Sequence, residues 1–255
     1  MSGPAAEAGA RAWIRLLKPN PHATIRLFAF PHAGAGALAY RPWRDLLPPE
    51  IELCAIQMPG RDDRFRETPF TDVDALVSVL ARALYPYELS RPFAFYGHSM
   101  GALVAFELAR ALIDRYSLKP RHLFVSARNA PQVPDSRPPL YNLQEPAFID
   151  QLRTLNGTPE ELLREPDPMW LRTLRADFEL NEAYTYRAGP PLDVPLSAFA
   201  GRGDPRVRAA DMDGWREHTS SAFTFRQFDA GHFLIHDVRA EVVQAVLVGL
   251  TRSGV

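Results

Sequence analysis

The stretch FAFYGHSMGALVAFELARAL, Phe93 to Leu112, changes periodicity within five residues. Its first part is a continuous apolar run, the pattern of a strand buried on both faces, and its last part keeps helical spacing. Between them lies Gly97-His98-Ser99-Met100-Gly101. The two glycines permit a sharp strand-to-helix turn, which pushes the serine into solvent and aims the first N–H groups of the helix at it. The alternative is a structural glycine turn with no chemistry, and the rest of the chain has to separate the two.

Other apolar runs repeat the strand pattern: IRLFAF (25 to 30), IELCAIQ (51 to 57), PFAFYG (92 to 97), HLFVSA (122 to 127), PLSAFA (195 to 200) and FTFRQF (223 to 228). Helical patterns fall between them. Val73, Leu76, Val77, Leu80 and Leu84 keep helical spacing, with Thr71 expected as N-cap and Asp74 in a capping-box position. Further helices are expected from Met100 to about Arg115 and from Arg239 to Leu250. Strands and helices alternating at this length predict an α/β fold with a mainly parallel sheet covered on both faces.

The rhythm breaks between about 130 and 190, where three helix-like pieces follow one another without a strand. Thr158 and Pro159 are expected as N-cap and first helical residue of one piece, and Asp167-Pro168 starts another that carries Leu171, Leu174 and Phe178 on one face. This segment reads as a helical lid inserted in one domain spanning 1–255. Its three apolar residues are candidates to line a chamber beneath the lid and gate entry, or simply to dock the lid on the core.

A serine at its free pKa is a weak nucleophile and needs a histidine base and an acid to orient it. After a nucleophile elbow these partners follow in the order Ser, Asp, His. Asp204 stands in GRGDP just beyond the run PLSAFA, and His232 stands in DAGHF just beyond FTFRQF. Neighbouring strand ends place both on the rim that carries Ser99. His98 is adjacent to the serine and cannot fold back onto it, so it reads as shaping the turn. His236 falls in the next helical segment, where surface or capping roles are commoner. Asp211 and Asp213 lie further from a strand end, Asp229 is too near His232 in sequence, and Asp177 in the insertion reads as structural.

A tetrahedral oxyanion needs two backbone N–H donors. Met100, after the serine, offers one, and the small-residue loop FPHAGAG after the run ending at Phe30 offers the other. The same loop lacks the G-x-G-x-x-G spacing and the lysine of phosphate-cradling loops. His32 within it reads as a packing or hydrogen-bonding residue.

Composition narrows the partners. A net charge of −1 argues against nucleic acid and against a polybasic membrane anchor. Two lysines stand against 27 arginines, and no function is drawn from that bias. Cys54, the one cysteine, permits no internal disulfide and reads as a small buried hydrophobe. With no run of 18 apolar residues and no signal-peptide pattern, a cytoplasmic protein is expected.

FPHAGAGA (30 to 37), MPGRDDRFRE (58 to 67), YGHSMGALVAFELAR (96 to 110), LNGTPEELL (155 to 163), LRADFELNEAYTY (174 to 186), GRGDP (201 to 205) and GHFLI (231 to 235) together resemble the type II thioesterases of polyketide synthase and nonribosomal peptide synthetase systems. The resemblance covers nearly the whole chain, and the medium-chain thioesterase of animal fatty acid synthesis is a relative of that family. It implies an α/β-hydrolase fold, a Ser99, Asp204, His232 triad, and oxyanion donors from Ala33 and Met100. It also implies hydrolysis of acyl groups held as thioesters on the phosphopantetheine arm of an acyl or peptidyl carrier protein, a transient partner, with no metal or other cofactor. A monomer is expected. Two local departures, GRGDP itself and AGHFLI where the family commonly reads GDHFF, remove no reacting group. An esterase acting on oxygen esters shares every one of these residues, and a non-catalytic binding module of the same fold is expected to lack one of them.

Overall fold

The computed structural model describes residues 12–85, 89–135, 137–155 and 157–254. Its strands are β1 (Ile14–Lys18), β2 (Ile25–Phe30), β3 (Ile51–Ile56), β4 (Phe93–His98), β5 (Leu123–Ser126), β6 (Leu196–Gly201) and β7 (Phe223–Phe228). They form one sheet in the order β1-β3-β2-β4-β5-β6-β7. All neighbours are parallel except β1, which runs antiparallel to β3. The six apolar runs are therefore six parallel strands, whose ends agree with the runs to within one residue. Strand β1 matches none of the apolar runs: it is a five-residue edge strand that buries little and changes register between Leu16 and Lys18.

The helices are α1 (Val73–Leu84), α2 (Met100–Tyr116), α3 (Glu145–Leu155), α4 (Glu160–Arg164), α5 (Pro168–Glu182), α6 (Ala209–Asp213), α7 (Leu234–Asp237) and α8 (Arg239–Arg252). Strand pleating divides the core. On β2, Phe28 and Phe30 face the cluster that holds α1 and α2, whereas Ile25, Leu27 and Ala29 face the one that holds α8. Both faces of the sheet are thus covered, as parallel strands require. Cys54 is fully buried in the first cluster.

Two expected caps are displaced. Asp72, not Thr71, caps α1, its Oδ1 accepting from the Ala75 N–H at 2.7 Å. A carboxylate one residue nearer the helix reaches the free N–H groups that the threonine does not. Helix α4 begins at Glu160 with Pro159 in the cap position, so Thr158 makes no cap there. Asp167 does cap α5, accepting from the N–H groups of Met169 and Trp170.

Helices α3, α4 and α5 all lie between β5 and β6, within the expected insertion. They share an apolar cluster that includes Phe148, Leu152, Leu163, Leu171, Leu174 and Phe178. Arg175 ties the strap before α3 to α5, donating to the carbonyls of Tyr141 and Leu143 at 2.7 Å each. Asn156, within the motif at 155 to 163, lies outside the described residues, as do residues 1–11.

Candidate active site

Ser99 joins β4 to α2 with φ 55° and ψ −118°, a conformation that L-residues with a side chain rarely adopt. Its N–H donates to the Ser126 carbonyl at the end of β5 at 2.8 Å, which pins the turn to the neighbouring strand. Both flanking glycines are required by close backbone approach. A Cβ on Gly97 would lie 2.2 Å from the Gly101 carbonyl oxygen, and one on Gly101 would lie 2.1 Å from the Phe30 carbonyl oxygen. The second contact seats the start of α2 against the end of β2, so the serine turn and the loop after β2 are built as one unit.

His232 reaches this turn from the loop after β7. Its Nε2 lies 3.1 Å from Ser99 Oγ and its Nδ1 lies 2.7 Å from Asp204 Oδ2. The Asp204 side chain is completely buried and the His232 side chain is 13 % exposed. Asp204 Oδ1 accepts from the Arg206 N–H at 2.8 Å, which leaves Oδ2 to fix the ring. The structure therefore brings together the serine, histidine and aspartate read from three separate strand ends.

Met100, the first residue of α2, has an N–H with no intrahelical acceptor. Ala33 borders the same cavity from the loop after β2. That loop leads into a 3-10 turn, Ala37–Trp43, rather than an α-helix, and the Asp62 carboxylate crowds Gly36. A phosphate would meet a negative charge there and no helix N-terminus.

Three further histidines surround His232 or its neighbours. His98 is fully buried and its Nδ1 lies 3.0 Å from Ser126 Oγ, in keeping with a role in shaping the turn. His32 packs edge-on against His98 and His236, with ring centroids 5.6 and 5.8 Å away. Burial, with the neighbouring histidines and Arg61 adding to it, pulls His32 down to about 3. Burial likewise lowers His98 and His236, so all three rings are neutral near pH 7. His236 lies in the helical segment α7 and is exposed, as expected, with its ring against His32 and Phe233. Among the described residues, no three His, Cys, Asp or Glu groups are placed to hold a metal ion.

Ser99 and His232 open into a cavity of about 580 Å³. Leu152, Leu155, Leu174 and Phe178 from the inserted helices form an apolar wall. Arg128, Asn129, Gln132, Asn181 and Tyr184 add polar groups to the lining. Leu171 is a correction to the expected lining. It shares the stripe with Leu174 and Phe178 but sits in the first turn of α5, buried in the cluster of the inserted helices and off the cavity wall. One contact gave no signal in the sequence: a Cβ on Gly157, before α4, would lie 1.9 Å from the Phe233 ring, so the insertion packs against the residue beside His232.

Asp177 is buried, as a structural residue would be, but its partners were not legible. It pairs with Arg61 through two hydrogen bonds of 2.7 Å, and its Oδ2 also accepts from the Gly34 N–H at 2.7 Å. The pair is separated by 116 residues, and only its presence in two of the quoted motifs hinted at it.

The parallel sheet, the serine at a strained strand–helix turn and the histidine–aspartate relay define an α/β-hydrolase-type protein. More particularly, the chain belongs to the thioesterase family, whose domain model matches residues 25–247. It is 43% identical over 254 residues to a Brevibacillus parabrevis protein named linear gramicidin dehydrogenase LgrE, covering 95% of this chain and 96% of that one. It is 40% identical to the gramicidin S biosynthesis protein GrsT of Aneurinibacillus migulanus, over 91% of each chain. Among solved structures it is similar to the type II thioesterase BorB of the borrelidin biosynthetic cluster, at 37% identity and a TM-score of 0.86, covering 94% of this chain and 98% of that one.

Proposed function

We propose that this chain hydrolyses acyl thioesters carried on the phosphopantetheine arms of acyl or peptidyl carrier proteins, clearing aberrant or stalled acyl groups from a polyketide or nonribosomal peptide assembly line. The observation that carries the reading is the relay from Asp204 through His232 to Ser99, the last two lining a cavity large enough for an acyl chain. Family membership, and the biosynthetic roles named for GrsT and BorB, support the carrier-bound substrate.

In this mechanism His232 Nε2 takes the Ser99 proton as Oγ attacks the thioester carbonyl. The carbonyl oxygen becomes an oxyanion held by the N–H groups of Ala33 and Met100, with the positive end of α2 behind Met100. Collapse breaks the C–S bond, and the His232 proton passes to the departing phosphopantetheine thiol. Water then gives its proton to His232, adds to the acyl-serine and releases the acid as Ser99 recovers its proton. Asp204 holds the ring in the tautomer that presents Nε2 to the serine and stabilises the imidazolium. Every group used is a side chain or backbone N–H of this chain, and no metal or cofactor enters the proposal.

Helices α3 to α5 are the lid in this reading, an insertion within one domain that covers residues 1–255. The partner is engaged transiently by a monomer in the cytoplasm; among the described residues no helix is long and apolar enough to cross a membrane. The test is a panel of carrier proteins loaded with different acyl groups, followed by intact-mass spectrometry before and after incubation, beside matched oxygen esters. Clear preference for the carrier thioesters supports the editing reading. Equal or faster cleavage of oxygen esters overturns it in favour of an esterase.

A further inference from the structure

The loop 31–37 is glycine and alanine beyond Pro31 and His32, and Gly34 has φ +76°. The Ala35 N–H donates to the His32 carbonyl at 3.1 Å and the Ala37 N–H to Gln57 Oε1 at 3.3 Å. Inserted helix α5 holds the stretch between them. Asp177, 2 % exposed, uses Oδ2 to accept both the Gly34 N–H and Arg61 Nη1, and Oδ1 to accept Arg61 Nη2, each at 2.7 Å. Arg61, 7 % exposed, closes the circuit by donating from Nη1 to the Ala35 carbonyl at 3.0 Å. One turn earlier on the same helix, Thr173 Oγ1 donates to the Gly60 carbonyl at 2.6 Å. Leu174 packs directly on Gly34, its Cδ1 lying 2.7 Å from where a Cβ would stand.

The geometry points to Asp177 as a positioning residue for the oxyanion hole. Its carboxylate fixes the peptide that follows Ala33, and thereby the direction of the Ala33 N–H, only while α5 is docked. Arg61 has a second task. A bare carboxylate two residues' reach from a developing oxyanion would oppose it, and the bidentate guanidinium cancels that charge. Docking of the inserted helices and completion of the oxyanion hole are then one event, so an undocked insertion leaves Ser99 and His232 in place but without the Ala33 donor. The inference rests on the proposed roles of Ser99 and Ala33.

The test separates ground-state binding from tetrahedral-state binding. A non-hydrolysable thioether analogue of acyl-pantetheine reports the first. A trifluoromethyl ketone analogue, which Ser99 Oγ adds to reversibly, reports the second. In Asp177→Asn one acceptor oxygen becomes an amide donor facing either Gly34 or Arg61, so the three bonds cannot all be kept. The expected result is a loss of about 10- to 100-fold in trifluoromethyl ketone affinity and in kcat, below the ceiling of about 10²- to 10³-fold for removal of an oxyanion donor. Thioether affinity and KM are expected to stay within about threefold, since neither depends on the oxyanion donors. The double variant R61M/D177L removes the buried charges together and preserves folding where a single truncation strands one. It too is expected to bind the ketone weakly. Ketone affinity at the wild-type level in the folded double variant, or equal losses for both analogues, overturns the positioning role. Failure of the wild-type protein itself to bind the ketone points instead to failure of the serine mechanism.

Discussion

Gly101→Ala tests whether the serine turn and the loop after β2 are one construction. The added Cβ would lie 2.1 Å from the Phe30 carbonyl oxygen and 2.7 Å from the Pro31 carbonyl oxygen, both backbone atoms. Reaching even the 3.0 Å that real Cβ contacts respect demands that the start of α2 retreat from the end of β2 by about 0.9 Å. Alanine is the better helix former by about 1 kcal/mol. Overpacking against rigid backbone costs about 1–3 kcal/mol, so a net destabilisation of up to about 2 kcal/mol is expected. The kinetic effect is the larger one. Met100 moves with the helix and the Ala33 loop moves with Phe30, and misplacement of reacting groups by about 1 Å costs roughly 10²-fold. Urea unfolding and hydrolysis of an acyl-pantetheine thioester by the same preparation measure both. A folded Gly101→Ala protein with wild-type kcat would refute the claim that this contact sets the site geometry.

Asp204→Asn keeps the shape of the relay but offers His232 Nδ1 the wrong tautomeric partner, so kcat is expected to fall by about 10⁴-fold with KM little changed; steady-state kinetics check this. Trimming Phe178 to Ala enlarges the apolar wall and is expected to shift relative kcat/KM toward longer acyl chains by roughly tenfold, read from a chain-length series; a stability loss with unchanged selectivity would leave Phe178 as a docking residue only. Acid sensitivity follows from the buried histidines. Burial lowers His32 to about 3 and His122 to about 4, so the unfolded chain binds their protons first as pH falls below the ordinary 6.5. The stability that depends on their neutral form is complete above that pH. Each is expected to cost the fold about 2 kcal/mol by pH 5, seen as a lower urea midpoint at pH 5 than at pH 7.5. His122→Gln is expected to weaken that dependence.

What the sequence disclosed was what depends on local pattern. Parallel strands buried on both faces are continuous apolar runs, so β2 to β7 stood out, whereas β1 is a short edge strand with exposed positions and did not. The site residues Ser99, Asp204 and His232 were legible because each follows an apolar run, and strand ends of a parallel sheet converge on one rim. Asp72 and Thr71 show the resolution limit of cap reading, since adjacent residues of similar chemistry compete for the same free N–H groups. Leu171, Leu174 and Phe178 share a periodicity, but only position along α5 decides which two reach the cavity. The Arg61–Asp177 anchor escaped because a buried pair separated by 116 residues leaves no periodic trace. The His32, His98 and His236 cluster escaped for the same reason: the loop after β2, the end of β4 and helix α7 bring it together from distant parts of the chain.

The central claim is that Ser99 carries the acyl group between thiol release and hydrolysis. Wild-type protein and Ser99→Ala are each mixed with an acyl-carrier thioester, quenched within a turnover, and examined by intact-mass and peptide mass spectrometry. The expected result is one acyl mass on the peptide containing Ser99 in the wild type, none in the variant, and hydrolysis slowed by about 10⁵- to 10⁶-fold. Hydrolysis by Ser99→Ala at the wild-type rate, or an acyl group found on another residue, would contradict it.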